Sequence, residues 1–243
     1  MTHTISQVRQ SVLDRLLDRA REDDRIEGMV DYGSRSEGRD DDLSDLDVVI
    51  FVRDVALDGF VDGWADWVAG LGDLLIAFPG VADHPWTIFD AEPLPLRADF
   101  NVYPISAVGS MRDWPNSPLS VGHMVLAVDQ GGQISAGAGA LVGRDLGPPD
   151  PAGAFLRVSG ALWYYLLRAE TFRRRGEAWA ARWNMTGPVT GNLCALLRLE
   201  SGATARWRAS DAAAGIERAI SPERLAALDR CVPEPHPAGV LTA

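Results

Sequence analysis

The 243-residue chain predicts an α/β fold, with an N-terminal mixed-sheet domain followed by a C-terminal helical domain. Three observations predict it. Short β-rich runs alternate with amphipathic helical stretches through the first hundred or so residues. Some neighbouring strand runs are separated only by turn-length segments, so the sheet mixes strand directions. From residue 152 onward the composition changes to helix formers. The stretch LGPPDP at 146–151 opposes any regular element and reads as the linker, giving domains at 1–147 and 152–243.

The elements follow in order. Ile5, Val8, Val12, Leu13, Leu16 and Leu17 recur at helical spacing, predicting an amphipathic helix to about Arg21 that ends at Glu22-Asp23-Asp24. Residues 26–32 form a short strand closed by Gly33-Ser34. Residues 46–52 (LDVVIFV) are rich in β-branched side chains and predict a buried strand. Phe60, Trp64, Trp67, Val68 and Leu71 mark a second helix, ended by Gly70 and Gly72. Three further strands are expected at 74–78, 86–89 and 96–103, between turns bearing proline and glycine. The region 106–147 is weakly patterned and receives no assignment. Residues 155–175 predict a long helix with Leu162, Tyr165, Leu166 and Ala169 on one face. Shorter helices are expected at 177–183 and 192–199, and a last one starts where Ser221 precedes Pro222. The final residues read as a loose tail.

Composition narrows the function. The chain has 34 acidic against 23 basic residues, and every basic residue is arginine. The absence of lysine excludes Schiff-base chemistry and a lysine-bearing phosphate loop, so any side-chain cation on a phosphate is an arginine. Residues 1–150 carry a net charge of −15 and residues 151–243 a net charge of +4. An acidic surface suits metal or cationic ligands and is a poor general binder of nucleic acid, whose affinity rests on neutralising phosphates. Cys194 and Cys231 form no pattern, which suits a reducing compartment. The N-terminus does not read as a signal peptide, and strictly apolar runs such as 48–52 are far short of a bilayer span. A soluble, cytoplasmic protein with no membrane partner is expected.

The stretch that carries chemistry is DYGSRSEGRDDDLSDLDVVIFV, residues 31–52. Gly33-Ser34 directly follows a strand. Glycine permits a tight turn and close approach of an anion, and the serine hydroxyl adds a hydrogen-bond partner. Residues after the turn are expected to open a helix whose N–H groups also favour phosphate, and Arg35 adds charge there. Asp45 and Asp47 then stand in Ser-Asp-Leu-Asp at the head of a strand. Strand side chains alternate faces, so these two carboxylates project to one side while Leu46 enters the core. Paired carboxylates repel unless a cation lies between them, and an oxygen-only donor set favours Mg²⁺. A phosphate-holding turn beside a Mg²⁺-holding strand is the apparatus of phosphoryl or nucleotidyl transfer.

With Gly-Ser and then Asp-x-Asp on an apolar strand, the chain resembles the polymerase-β-type nucleotidyltransferase superfamily. Within it, REDDRIEGMVDYGSRSEGRDDDLSDLDVVIFV is most similar to the bacterial antibiotic nucleotidyltransferases that adenylylate aminoglycosides or lincosamides. The resemblance implies a nucleotidyltransferase domain followed by a helical substrate or dimerisation domain. It implies Mg²⁺ and ATP, or another nucleoside triphosphate, with a small-molecule hydroxyl as acceptor. The acidic first domain suits a cationic one. It further implies a third carboxylate on a later strand, and Asp99, inside the apolar run 96–102, is its occupant. In such enzymes this residue is a metal ligand or the base that takes the acceptor's proton. Asp90 and Glu92 are weaker candidates for that base.

The expected site thus comprises Asp45, Asp47 and Asp99 as catalytic and metal-holding groups, with Gly33, Ser34 and Arg35 on the nucleotide. Enzymes of this kind commonly dimerise, though no segment identifies an interface. A segment near 176–177 resembles the helical domain of these transferases and implies Glu177 near the acceptor. Two rival functions share the motif: adenylylation of a partner protein, as antitoxin-like relatives do, and a non-catalytic nucleotide-binding module. The helical residues beyond 151 count against the first, and three carboxylates count against the second. Asp40-Asp41-Asp42 reads as a solvated loop, and His3, His84, His123 and His236 lack metal-site spacing. Trp163, Tyr164 and Tyr165 read as core or interface, and Arg173-Arg174-Arg175 as a complement to a helix C-terminus.

Overall fold

The computed structural model describes residues 3–80, 84–129, 131–148, 150–205, 207 and 212–232. His236 and the tail expected after 232 lie outside them. The chain divides into two compact units, Met1–Arg144 and Asp145–Ala243.

The first unit opens with α1 (Ile5–Glu22), whose Thr4 cap and Gln7 satisfy each other's backbone N–H groups in a capping box. Strands β1 (Ile26–Asp31) and β2 (Leu46–Val52) follow, then α2 (Leu57–Ala69) and strands β3 (Leu74–Pro79), β4 (Pro85–Phe89) and β5 (Leu96–Pro104). A 3₁₀ segment (Ile105–Asp113), α3 (Val121–Met124), β6 (Val125–Asp129) and α4 (Gln133–Gly139) complete it. The last four occupy the region without a sequence assignment.

The described strands form one sheet in the order β3-β4-β5-β2-β1-β6. β2 runs parallel to β5 and the other neighbours are antiparallel, so the sheet is mixed. α1 and α2 cover one face through Val12, Leu13, Leu16, Phe60 and Trp67, packed on Val48, Ile50, Ala98 and Phe100. Met111, Met124, Ile134 and Leu141 cover the other face above Val30, Val49 and Phe51. Each fully buried large apolar side chain contributes roughly 1.5–3 kcal/mol. That second cover does not reach β3, where Ile76 and Phe78 stay exposed.

In the second unit, α5 (Pro151–Arg174) starts at Asp150, whose side chain accepts the Gly153 N–H at 2.9 Å, with proline at the first turn. Leu162, Tyr165, Leu166 and Ala169 pack on Met185 and Val189 as their spacing predicts. α6 (Ala178–Asn184) leads through a π-helical turn into α7 (Thr190–Ser201). α8 (Ile216–Ala219) and α9 (Pro222–Asp229) enclose Cys194, Ile216 and Leu228. Trp163 and Tyr164 are mostly exposed within this unit rather than in its core. Glu170 holds Arg173 and Arg174 at 2.6 and 2.7 Å. Among the described residues, no helix is long and apolar enough to cross a membrane.

Candidate active site

Asp47 and Asp99 are direct partners across the parallel β2–β5 ladder. In-register residues of parallel strands project to the same face, so both carboxylates stand side by side above the sheet. Their neighbours Leu46 and Ala98 point the other way, into the helix-covered core. The β-branched run 48–52 anchors one strand and the apolar residues Phe100 and Val102 the other, which leaves the acids at the strand heads.

On the β1 side, Tyr32 donates its N–H to the Asp47 carbonyl at 3.0 Å, which carries the chain straight into Gly33. A Cβ on Gly33 would fall 2.3 Å from Asp47 Oδ2, so only glycine lets the turn lie against that carboxylate. Residues 33–38 form a turn and not the expected helix. Gly38, at φ 66°, donates its N–H to the Arg35 carbonyl at 3.0 Å, and Arg39 donates to the Ser34 carbonyl at 2.9 Å. The left-handed residue ends the turn before a helix can propagate. Ser36 Oγ donates to the Gly33 carbonyl at 2.8 Å, and Leu119 donates its N–H to the Ser36 carbonyl at 2.9 Å. The half-buried Ser34 and exposed Arg35 are thus presented on a braced loop.

Asp31 belongs to the site although it is not among the residues expected there. It ends β1 with only 1% of its surface exposed, and its Oδ1 accepts the Gly33 N–H at 2.9 Å. That donor is therefore committed to Asp31, which leaves Gly33 the work of close approach. Burial pushes the Asp31 carboxyl up to about 6, against the opposing effect of the Gly33 hydrogen bond and of Arg35. The signal was an acid directly before Gly-Ser at the end of an apolar strand.

Asp45 sits one residue before β2, where its Oδ2 accepts from Arg97 Nη2 at 2.6 Å. Arg97, which sequence reasoning also passed over, shares the Asp99 face two residues earlier on β5. Burial pushes the Asp47 carboxyl up to about 7, helped by the charges of Asp45, Asp99 and Asp31 and opposed by Arg97. Burial and Asp45 likewise raise Asp99, again against Arg97. Such crowding of like charges calls for a cation.

With Asp45 drawn to Arg97, no three side chains among His, Cys, Asp and Glu stand ready to hold a metal ion among the described residues. The donors nevertheless fit Mg²⁺, which takes oxygen ligands, often one or two carboxylates plus substrate phosphates. An arginine already serves Asp45 as the cation.

The weaker base candidates lie elsewhere. Asp90 donates its N–H to the Asp73 carbonyl, and Glu92 pairs by backbone with His3 and Ile5 at the start of α1. Arg9 ties the acidic loop to α1, meeting Asp40 at 3.2 Å and the Asp41 carbonyl at 2.8 Å. Glu177 is an exposed residue just before α6.

Residues 7–90 match the model of the streptomycin adenylyltransferase family. The matched stretch contains Gly33, Ser34, Arg35, Asp45 and Asp47, and stops short of Asp99. No curated protein matches. A solved structure, that of an aminoglycoside 6-adenyltransferase from Bacillus subtilis, is similar over 96% of this chain and 85% of that one, with 16% identity and a TM-score of 0.36. The family match relates the chain to the antibiotic nucleotidyltransferases, and the protein is a nucleotidyltransferase.

Proposed function

We propose that the protein transfers AMP from ATP to a hydroxyl of an aminoglycoside. The observation that carries this reading is the in-register pair Asp47–Asp99 lying directly beside the Gly33-Ser34 turn. The matched family is named for streptomycin, and a domain with a net charge of −15 over 1–150 favours a polycationic acceptor.

Ser34 and the braced turn hold the β- and γ-phosphates of ATP, and Arg35 adds a mobile cation beside them. Asp45 and Asp47 would hold Mg²⁺, which would supply charge neutralisation for the triphosphate. Asp45 becomes available as Arg97 releases it.

Asp99 accepts the proton of the attacking hydroxyl. Burial raises its affinity for that proton, the direction that favours a general base. The hydroxyl oxygen forms a bond to the α-phosphorus as the bond to the pyrophosphate oxygen breaks in line. The proton goes to Asp99 and the electron pair leaves with pyrophosphate. Most of the rate comes from positioning and charge neutralisation.

Incubation with ATP, MgCl₂ and a panel of streptomycin, other aminoglycosides and lincosamides, followed by mass spectrometry, tests the reading. One added AMP on an aminoglycoside is expected. Transfer only to a protein, or to no member of the panel, overturns it.

A further inference from the structure

The β-ladders align a single row of residues across the sheet. Tyr32 and Gly33 stand beside Asp47, Asp47 pairs with Asp99, Asp99 with Trp86, and Trp86 with Phe78. The row runs from the phosphate turn, through the carboxylates, to an aromatic wall on β4 and β3. There a hollow of about 240 Å³ is lined by Phe78, Trp86, Thr87, Ile88, Arg97 and Asp99.

From this row we infer that the Trp86–Phe78 hollow is the acceptor subsite, and that it takes a saccharide or cyclitol ring stacked on the Trp86 indole. The inference rests on the reading above and names where its acceptor sits. In-line displacement puts nucleophile and leaving group on opposite sides of the α-phosphorus. With pyrophosphate at the Gly33-Ser34 turn, the hydroxyl must approach from the β4 side, past Asp99. The hollow is smaller than the roughly 300–1,000 Å³ of sites that enclose a drug-sized ligand. It accommodates one ring rather than a whole antibiotic.

The chemistry of the wall matches such a ring, which has an apolar C–H face and a hydroxyl edge. The indole meets the face, and Asp99 and Arg97 meet the edge. Trp86 is held ready for it. Phe78 packs edge-on against it with centroids 5.7 Å apart. Gly80 packs directly against the indole and braces it, since a Cβ there would fall 2.4 Å from the ring. Ile76 and Phe78 remain exposed at this end of the sheet.

The test compares Trp86→Ala and Trp86→Phe with wild type, using ATP and streptomycin, or whichever panel aminoglycoside gains AMP. Kinetics give KM for each substrate, and calorimetry without ATP gives aminoglycoside affinity. Trp86→Ala is expected to raise the aminoglycoside KM and Kd about tenfold, the worth of one aromatic contact. Trp86→Phe should recover most of the loss, with the ATP KM and the melting temperature unchanged. Unchanged aminoglycoside KM and Kd in Trp86→Ala overturn the inference while leaving the transferase reading intact. A raised ATP KM instead assigns the wall to adenine and also overturns it. A wild-type protein that neither binds nor modifies any panel member overturns the functional reading, and the subsite with it.

Discussion

Asp47→Asn should make the protein more stable while abolishing transfer. The Asp47 carboxyl is pushed from 3.8 to about 7 by burial and by Asp45, Asp99 and Asp31. Below pH 3.8 both folded and unfolded chains hold the proton, and the residue contributes no difference. Between 3.8 and about 7 the unfolded chain ionises while the fold keeps its proton, so stability falls as pH rises. Above about 7 the full cost is present, about 4 kcal/mol as an upper bound. Relaxation of the neighbouring acids and access of water reduce this to about 2 kcal/mol. Asparagine keeps the shape and escapes the cost.

Thermal unfolding with a chelator should therefore show Asp47→Asn melting about 4–8 °C above wild type at pH 8. The gap should shrink toward zero at pH 4. Added MgCl₂ should then raise the wild-type midpoint and leave the variant's unmoved. An asparagine variant no more stable than wild type at pH 8, or equally favoured at both pH values, would refute the crowded-carboxylate account.

Further outcomes are expected at three residues. Gly33→Ala forces Asp47 aside, because the new methyl would fall 2.3 Å from its oxygen, and should destabilise by about 1–3 kcal/mol in denaturant titrations and lower kcat sharply. Arg97→Ala removes a mostly exposed ion pair and should change stability by less than about 1 kcal/mol. Because Arg97 holds both Asp47 and Asp99 down, its loss should move the acid limb of the pH profile of kcat/KM upward. Asp31→Ala strands the Gly33 N–H and should cost about 1–3 kcal/mol and raise the ATP KM. Asp31→Asn keeps an acceptor and should match or exceed wild-type stability above pH 6.

Much of the sheet was legible because its strands carry dense apolar runs bounded by glycine and proline. The predicted strand at 46–52 coincides with β2, and those at 26–32, 74–78, 86–89 and 96–103 differ from the observed bounds by one residue at one end. β6 was not legible. Its ladder to β1 shifts register twice, and Val128 sits at φ 51°, so no period-2 pattern survives. The expected helix after Ser34 failed because Gly38 closes the turn onto the Arg35 carbonyl while Ser36 and Glu37 accept from Leu119 and Ser117, long-range bonds that local propensity does not carry.

The placement of Asp47 beside Gly33 was readable, since both lie within one strand–turn–strand unit. Arg97 and Trp86 were not. Their relation to Asp45 and Asp99 depends on how β4, β5 and β2 pair, a non-local register that no window of sequence contains. Asp31 was hidden for a different reason: an aspartate at a strand end reads as solvated until its side chain is seen folded back onto the turn.

Three carboxylates beside a serine-bearing turn are proposed to move a nucleotide. ATP carrying a radiolabel in its α-phosphate tests this most directly, with streptomycin as acceptor and released pyrophosphate measured in parallel. Label on the antibiotic is expected, with one pyrophosphate for each labelled molecule, and loss of both with Asp47→Asn or Asp99→Asn. Label reaching the antibiotic only from the γ-phosphate, or wild-type transfer by either variant, would contradict the proposal.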